Sequence, residues 1–529
     1  MIRFVKVNEN DNVAIPVQDA PAGTEAAPGV ITKTDIPQGH KVALEELQKG
    51  GEVIRYGVSL GRLLVDVPAG ALIDENSLEM PELPSLDEMP LLEPKGKAFA
   101  QEGVPAPEKH SPSPLPGNLP LAFEGYEVAG GFFAGTRNIL GIMTSVQCTA
   151  GVVNAAVRKI RAELLPLFPN VDDVTALNHS YGCGISIAAP GSDIPIRTLN
   201  NLLRNPNFGG EIMVVALGCE KLTLDMLLDA RENNDENVII LQNVPGYGAM
   251  IDAIFSMAEK KLRRLNQRRR VTLPLEKLCV GMQCGGSDAF SGLTANPAAG
   301  YASDLLVRAG ATVLFSEVTE VRDGAQFLAG RCADIGLSQK LSREMKWYDA
   351  YLERGGADTS ANPSPGNRAG GLSNIIEKTM GSIAKSGNAP ITGILGPGER
   401  VAGKCNDSPN GCSRGLVFAA TPASDFVCGP LQLASGITVQ VFMTGRGTPY
   451  GLAAVPVIKV CSRNELKKHW DDLIDINAGT IAEGDETIDQ VGEKIFRMIV
   501  DTASGRHKPF AEKYRLHNDI CLFDPAPLT

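Results

Sequence analysis

Leu278-Cys279-Val280-Gly281-Met282-Gln283-Cys284-Gly285-Gly286-Ser287-Asp288 begins as a short apolar run and ends in glycines and polar side chains. An unbroken apolar run of this length, closed by a turn, is the pattern of a strand covered on both faces, as in a parallel sheet. Similar runs follow at Ala311 to Phe315, Leu416 to Ala420, Ile437 to Phe442 and Val455 to Val460. Helical stretches near Tyr301 to Ala309, Gln326 to Cys332 and Ile488 to Ala503 lie between or after them. Residues 273–529 therefore read as a large α/β domain with a mainly parallel sheet, whose ligands gather on loops at the carboxyl ends of its strands.

Working towards the N-terminus, residues 121–272 repeat the pattern on a smaller scale. Val153, Val157, Ile160 and Leu164 form the stripe of an amphipathic helix over Gly151 to Leu165, and Met213 to Leu217 and Val238 to Leu241 read as buried strands. A helix from about Ala249 to Leu265 runs into the basic cluster Lys260 to Arg270, where cations are favoured by the helix dipole without any ligand. Residues 76–120 are rich in Pro and Glu, a composition unable to bury a core, and read as an extended linker. Before it, residues 1–75 show short β-type runs, Phe4 to Val7, Asn12 to Ile15 and Glu52 to Tyr56, separated by Pro and Gly, and read as a small β domain.

The chain has 529 residues, 43% of them hydrophobic and 21% charged, so it is a multidomain globular protein rather than a disordered or fibrous one. A net charge of −11 gives no attraction to nucleic acid or anionic lipid, so neither is expected as a partner. The first ten residues lack the apolar core of a signal peptide, and no stretch is long enough to span a bilayer. The cytoplasm is the expected location. Eleven cysteines without regular spacing read as reduced thiols.

Six Gly-rich polar loops carry the possible chemistry. They are Asn178 to Gly184, Gly218 to Lys221, Gln283 to Asp288, Ser316 to Glu320, Asn362 to Asn367 and Thr444 to Gly451. Glycine lets backbone approach a ligand, and the Asp, Glu, Asn, Thr and Cys beside it offer oxygen and sulfur donors. Each loop alone is also what a tight turn contains. The chain has only six His; His179, inside the first loop, is placed to act as general acid or base, or is simply a hydrogen-bonded loop residue. His40 can bind a ligand or cap a turn. Cys183, Cys219, Cys284 and Cys428 are soft ligands if iron is used, and otherwise small buried hydrophobes. Cys405 and Cys412 sit in a polar insertion that reads as a surface hairpin. No dinucleotide fingerprint, phosphate-binding loop or zinc-type Cys pair is present.

Gly281 to Gly292 with Thr294-Ala295-Asn296-Pro297, Asn362 to Asn367 and Thr444 to Gly451 closely resemble the altronate/galactarate dehydratase family. Tyr301 to Arg308, Phe315 to Asp323 and Asp475 to Ala482 look like its galactarate branch, and the similarity runs from Asp11 to the C-terminus. The resemblance implies a small N-terminal β-clip domain, a long linker, a middle domain that forms a homodimer, and a C-terminal Rossmann-like domain. It also implies dehydration of galactarate to 5-dehydro-4-deoxy-D-glucarate and water, with iron(II) (Fe2+) as activating metal. The length of the linker and the insertion around Cys405 to Cys412 depart from the family pattern.

Such a dehydration removes a weakly acidic proton beside a carboxylate and expels a β-hydroxyl, which calls for acid–base groups and a cation at the carboxylate. The expected proton carriers are His179, Glu220 and Asp288. Lys221, Arg446, Thr448, Tyr450, Asn362 and Asn367 are expected to hold the diacid, and His40, Cys284, Glu317 and Glu320 the metal. Altronate dehydration, on a mono-acid, and sugar-acid binding without catalysis are the rival readings.

Overall fold

The computed structural model describes residues 2–80, 85–87, 89, 115, 119–358, 361–401 and 414–528. Most of the Pro-rich linker and the Cys405–Cys412 insertion lie outside the described residues. The mixed α/β architecture expected from the apolar runs is present, with a small β domain at the N-terminus and a large parallel sheet at the C-terminus.

In the N-terminal domain Phe4–Val5, Val13–Pro16, Lys41–Ala43 and Leu72–Ile73 form an antiparallel sheet. Glu52–Arg55, Val58–Leu63 and Leu78–Glu79 form a second. The hairpin between Arg55 and Val58 turns through Tyr56 and Gly57, with φ of 59° and 69°. Two left-handed residues match the twist of the flanking strands, which is why such turns suit tight hairpins.

The middle sheet is parallel, in the order Asp173–Leu177, Ile139–Thr144, Val214–Ala216, Val238–Ile240. Its cover includes the amphipathic helix Ala150–Glu163, which buries Val153, Val157 and Ile160 and packs on the helix Gly246–Leu265. The basic residues at the end of that second helix are used internally. Lys261 and Arg264 meet Glu211, Arg268 donates to Asn138, and Arg270 donates to the backbone of Glu124, Thr136 and Ala503.

The C-terminal sheet has seven strands, in the order Ile391–Leu395, Leu416–Ala419, Thr312–Ser316, Cys279–Cys284, Val439–Thr444, Val457–Cys461, Ile476–Asn477. Every neighbouring pair is parallel. Helix Ala295–Arg308 presents Ala298, Ala299 and Ala302 to Val491, Ile495 and Ile499 of helix Ile488–Ala503, small against branched, so the two approach closely over the sheet. Leu86, Met89 and Leu119 are buried in the same core. The chain leaves the Cys279–Cys284 strand in one direction to the Thr312–Ser316 side and later returns to its other flank at Val439–Thr444. The reversal of strand order opens a crevice at the carboxyl ends, where ligand sites of such sheets form.

Candidate active site

Loops from several C-terminal strands meet in that crevice. The strand Cys279–Cys284 ends with the thiol of Cys284, buried at 1% exposure, and Thr312–Ser316 is followed at once by Glu317. Glu317 has φ 81° and ψ 79°, a left-handed conformation unfavourable for a residue with a Cβ. It places the Glu317 carboxylate inside, beside Glu320 one turn later. Cys284 Sγ and a carboxylate oxygen from each of Glu317 and Glu320 all lie within 4.8 Å of one another.

Two ammonium groups from the helix Ile375–Ala384 and its C-cap close this cluster. Lys385 Nζ donates to Glu317 Oε2 at 2.5 Å and to Cys284 Sγ at 3.2 Å, and is fully buried. Lys378 Nζ meets Glu320 Oε1 at 2.8 Å and donates to Asn362 Oδ1 at 2.7 Å. Ser382 Oγ donates to Glu320 Oε2 at 2.7 Å. Burial, with the charge of Glu320 next, raises the Glu317 carboxyl to about 8 against the opposing pull of Lys385. For Glu320, burial acts in the same upward direction, but Lys378 and Lys385 outweigh it and hold the carboxyl below its ordinary value. Burial also pushes the Cys284 thiol up to about 11. The result is a dry nest in which Glu317 has a raised proton affinity beside an ammonium and a carboxylate whose proton affinity is lowered.

Asp425, at the start of the helix Asp425–Ser435, borders the nest and is pushed to about 6 by burial. Its carboxylate accepts from Gln283 Nε2 at 3.1 Å. A side chain at Gly285 would have its Cβ 2.4 Å from that carboxylate, so only glycine lets the Gln283–Asp288 loop pass. Gly286 lies against Thr444, Thr448 and Arg446 from the next strand's loop, and the Arg446 side chain is exposed at the rim.

Four of the six loops thus converge on one site: Gln283 to Asp288, Ser316 to Glu320, Asn362 to Asn367 and Thr444 to Gly451. Within them Asp288 is an anchor. Its carboxylate accepts from Phe290 N, Ser291 N, Ser291 Oγ and Ser462 Oγ and pairs with Arg463 Nε at 2.9 Å. Asn367 caps a short helix with Ser364 and donates to Ser287 O at 2.8 Å. Tyr450 is buried and stacked on Phe442 at 4.8 Å. His40 stands in the N-terminal domain with Nδ1 3.3 Å from Gln38 O, outside the Cys284–Glu317–Glu320 trio.

The other two loops meet each other on the middle sheet. His179 is 1% exposed, with Nε2 2.6 Å from Thr144 O and Nδ1 accepting from Tyr181 N at 3.2 Å. Glu220 accepts from Ser145 Oγ and from the backbone of Leu217 and Gly218. Lys221 N donates to Gly182 O at 3.0 Å. His179, Glu220 and Lys221 therefore belong to a different sheet from Cys284, Glu317 and Glu320.

Sequence reasoning missed Lys378, Lys385, Ser382 and Asp425. The lysines lie on an ordinary-looking helix; the available signal was the set of polar residues Glu377, Lys378, Thr379, Ser382 and Lys385 among apolar neighbours, with Lys378, Ser382 and Lys385 at helical spacing.

A buried acid–base cluster at the carboxyl ends of a parallel sheet, with cations at its mouth, is the equipment of an α/β enzyme that moves protons on an oxygen-rich anion. The chain belongs to the D-galactarate/altronate dehydratase family. Residues 2–81 match its altronate/galactarate dehydratase SAF domain, 125–266 the second domain of D-galactarate dehydratase/altronate hydrolase, and 275–528 the C-terminal domain of D-galactarate/altronate dehydratase. Galactarate dehydratase (L-threo-forming) of Escherichia coli (strain K12) is 52% identical, over 99% of this chain and 97% of its own length. Altronate dehydratase of Bacillus subtilis (strain 168) is 30% identical over 96% of each chain. The beta subunit of (2R)-sulfolactate sulfo-lyase from Chromohalobacter salexigens is 28% identical over 64% of this chain and 84% of its own.

Proposed function

We propose that this protein is a hydro-lyase that dehydrates galactarate to 5-dehydro-4-deoxy-D-glucarate and water, in the breakdown of sugar acids. The observation that carries the reading is the 52% identity to a galactarate dehydratase across almost the whole chain, against 30% to the altronate enzymes. The site agrees: Lys378 and Arg446 offer two cations, and a diacid has two carboxylates to hold.

Glu317 and Lys385 share the proton work in this mechanism. A carboxyl whose proton affinity is raised to about 8 is balanced between acid and base at neutral pH. Lys385, bonded to Glu317, returns the proton needed by the departing hydroxyl. The dry surroundings strengthen each of these interactions. Iron(II) is part of the proposal. Cys284, Glu317 and Glu320 fit it in donor type, burial and spacing. When bound, the ion would supply a positive charge to polarise the substrate's oxygens. Lys378 and Lys385 bond to the same donors, so an ion there competes with two fixed charges and is expected to be held weakly.

Chelator-treated enzyme should lose turnover and recover it with iron(II) under anaerobic conditions; full activity without added metal would remove iron from the reading. Lys385→Met should lower kcat roughly a hundredfold to ten-thousandfold, with circular dichroism separating that loss from misfolding. The decisive assay offers galactarate and altronate side by side and detects the keto-deoxy product. Preference for altronate would favour the rival dehydratase, and ligand-induced thermal stabilisation without product would favour a binding protein. A homodimer and a cytoplasmic location complete the reading, the first checked by light scattering and the second by cell fractionation. Among the described residues no helix is long and apolar enough to cross a membrane.

A further inference from the structure

Free cysteine is among the most buried residue types, and an exposed thiol is a liability that proteins usually avoid. Among the described residues four cysteines are exposed: Cys148, Cys183, Cys219 and Cys521. All four lie at the carboxyl end of the middle sheet. Cys148 follows the strand Ile139–Thr144, Cys183 the strand Asp173–Leu177, and Cys219 the strand Val214–Ala216. These three strands are neighbours, with Ile139–Thr144 in the centre, so one cysteine rises from the end of each.

The loops that carry them are tied together. Glu220 accepts from Ser145 Oγ and from Leu217 N and Gly218 N, joining the first and third loops. Gly182 O accepts from Lys221 N and Leu222 N, joining the second and third. Gly182, at φ 110°, passes so close to the first loop that an added Cβ would stand 2.3 Å from Ser145 O. Asn178, 7% exposed and at the base of the second loop, has a buried Oδ1 without a hydrogen-bond partner. Three exposed cysteines thus sit on loops that are braced against one another.

We propose that Cys148, Cys183 and Cys219 are the ligands of an iron–sulfur cluster. Sulfur ligands on three separate loops suit such a cluster, which is held by thiolates. A single ion is a poorer fit. Metal–sulfur bonds of about 2.3 Å require the donors to stand close together, and among the described residues only Cys284, Glu317 and Glu320 come within 4.8 Å of one another. Cys521 stays outside the ligand set. It follows none of the three adjoining strands but belongs to the C-terminal segment, whose Ile520 bridges His179. In a four-iron cluster, three thiolate ligands leave one iron open to an oxygen ligand such as a hydroxyl or carboxylate. This inference stands apart from the galactarate reading and from the Cys284 site.

The test uses the full chain, purified without oxygen and then reconstituted with iron(II) and sulfide. Iron and acid-labile sulfide are quantified, and the visible and Mössbauer spectra recorded. The expected result is stoichiometric iron and sulfide with a cluster spectrum, reduced to background in Cys148→Ser, Cys183→Ser and Cys219→Ser. Cys521→Ser and Cys284→Ser should keep the full signal. The absence of sulfide after reconstitution would overturn the proposal, as would retention of the cluster in any of the first three variants or its loss in Cys521→Ser. Circular dichroism of each variant separates ligand loss from misfolding. Galactarate turnover is measured on the same samples. A cluster without turnover would sink the galactarate reading alone, and iron-dependent turnover without sulfide would sink this inference alone.

Discussion

His179 has both ring nitrogens engaged, one facing Thr144 O and one accepting from Tyr181 N, and burial lowers its proton affinity to about 4. The unfolded chain binds a proton at this histidine near 6.5, so it takes up protons before the folded one does. Stability from this group is therefore complete above pH 6.5 and falls as the pH drops from 6.5 to 4, by roughly 3 kcal/mol. Denaturant midpoints measured across that range should show the loss, and His179→Gln should flatten it. A loop histidine read in isolation is a natural acid or base, which predicts that His179→Ala abolishes turnover with the fold retained. With both nitrogens bonded, the expected cost of His179→Ala is to stability, roughly 1–3 kcal/mol, measured by denaturant unfolding beside the turnover assay. Glu317 has the complementary character. Its proton affinity is raised by burial, and Glu317→Gln, which removes a proton carrier and an iron donor at once, should lower kcat by roughly a hundredfold or more in the turnover assay.

At the scale of elements, the helix Ile375–Ala384 connects the small β domain to the site. Glu377 on this helix pairs with Lys41 at 2.7 Å and Arg55 at 3.1 Å, both from the N-terminal domain and both fully buried. Burial raises the Glu377 carboxyl, but Lys41 and Arg55 prevail and keep it below its usual range. The same helix, with its C-cap, carries Lys378, Ser382 and Lys385 to Glu320, Glu317 and Cys284. Glu377→Gln would leave two buried cations poorly compensated, at a cost of about 3–5 kcal/mol. A lowered melting temperature checks this, and a parallel fall in kcat would reveal the path from domain to site. The helices also show how much local sequence reveals. Ile488–Ala503 is amphipathic and was expected with its observed limits. Ile375–Ala384 is buried almost all round, so its polar residues face protein on several sides and do not form the single solvent face that marks an amphipathic helix.

For the molecule as a whole, the N-terminal domain is a working part of the C-terminal one. Val17 and Ile15 pack with Phe290 and Ala482, and Val13, Leu60 and Leu63 with Ile375 and Ile376. Deleting residues 2–81 would expose that apolar surface together with Glu377. The truncated chain should melt at lower temperature and lose galactarate turnover, and unchanged values for both would show that the domain is dispensable.

The amino-acid sequence by itself determined the domain classes and most strands, because a strand covered on both faces must be an unbroken apolar run, as at Cys279–Cys284 and Leu416–Ala419. It also placed the polar loops, since glycine and donor side chains cluster wherever backbone must turn. The strand Ile391–Leu395 escaped notice because Thr392 and Gly393 interrupt its apolar character, and Ile139–Thr144 because it runs directly into the polar residues that follow. Only the tertiary structure decided which loops meet. Spacing along the chain carries no information about contacts between residues far apart in it, so Cys284, Glu317, Glu320, Lys378 and Lys385 become one site only when the parallel sheet brings its carboxyl ends together. The same sheet order sends His179 and Glu220 to a separate place.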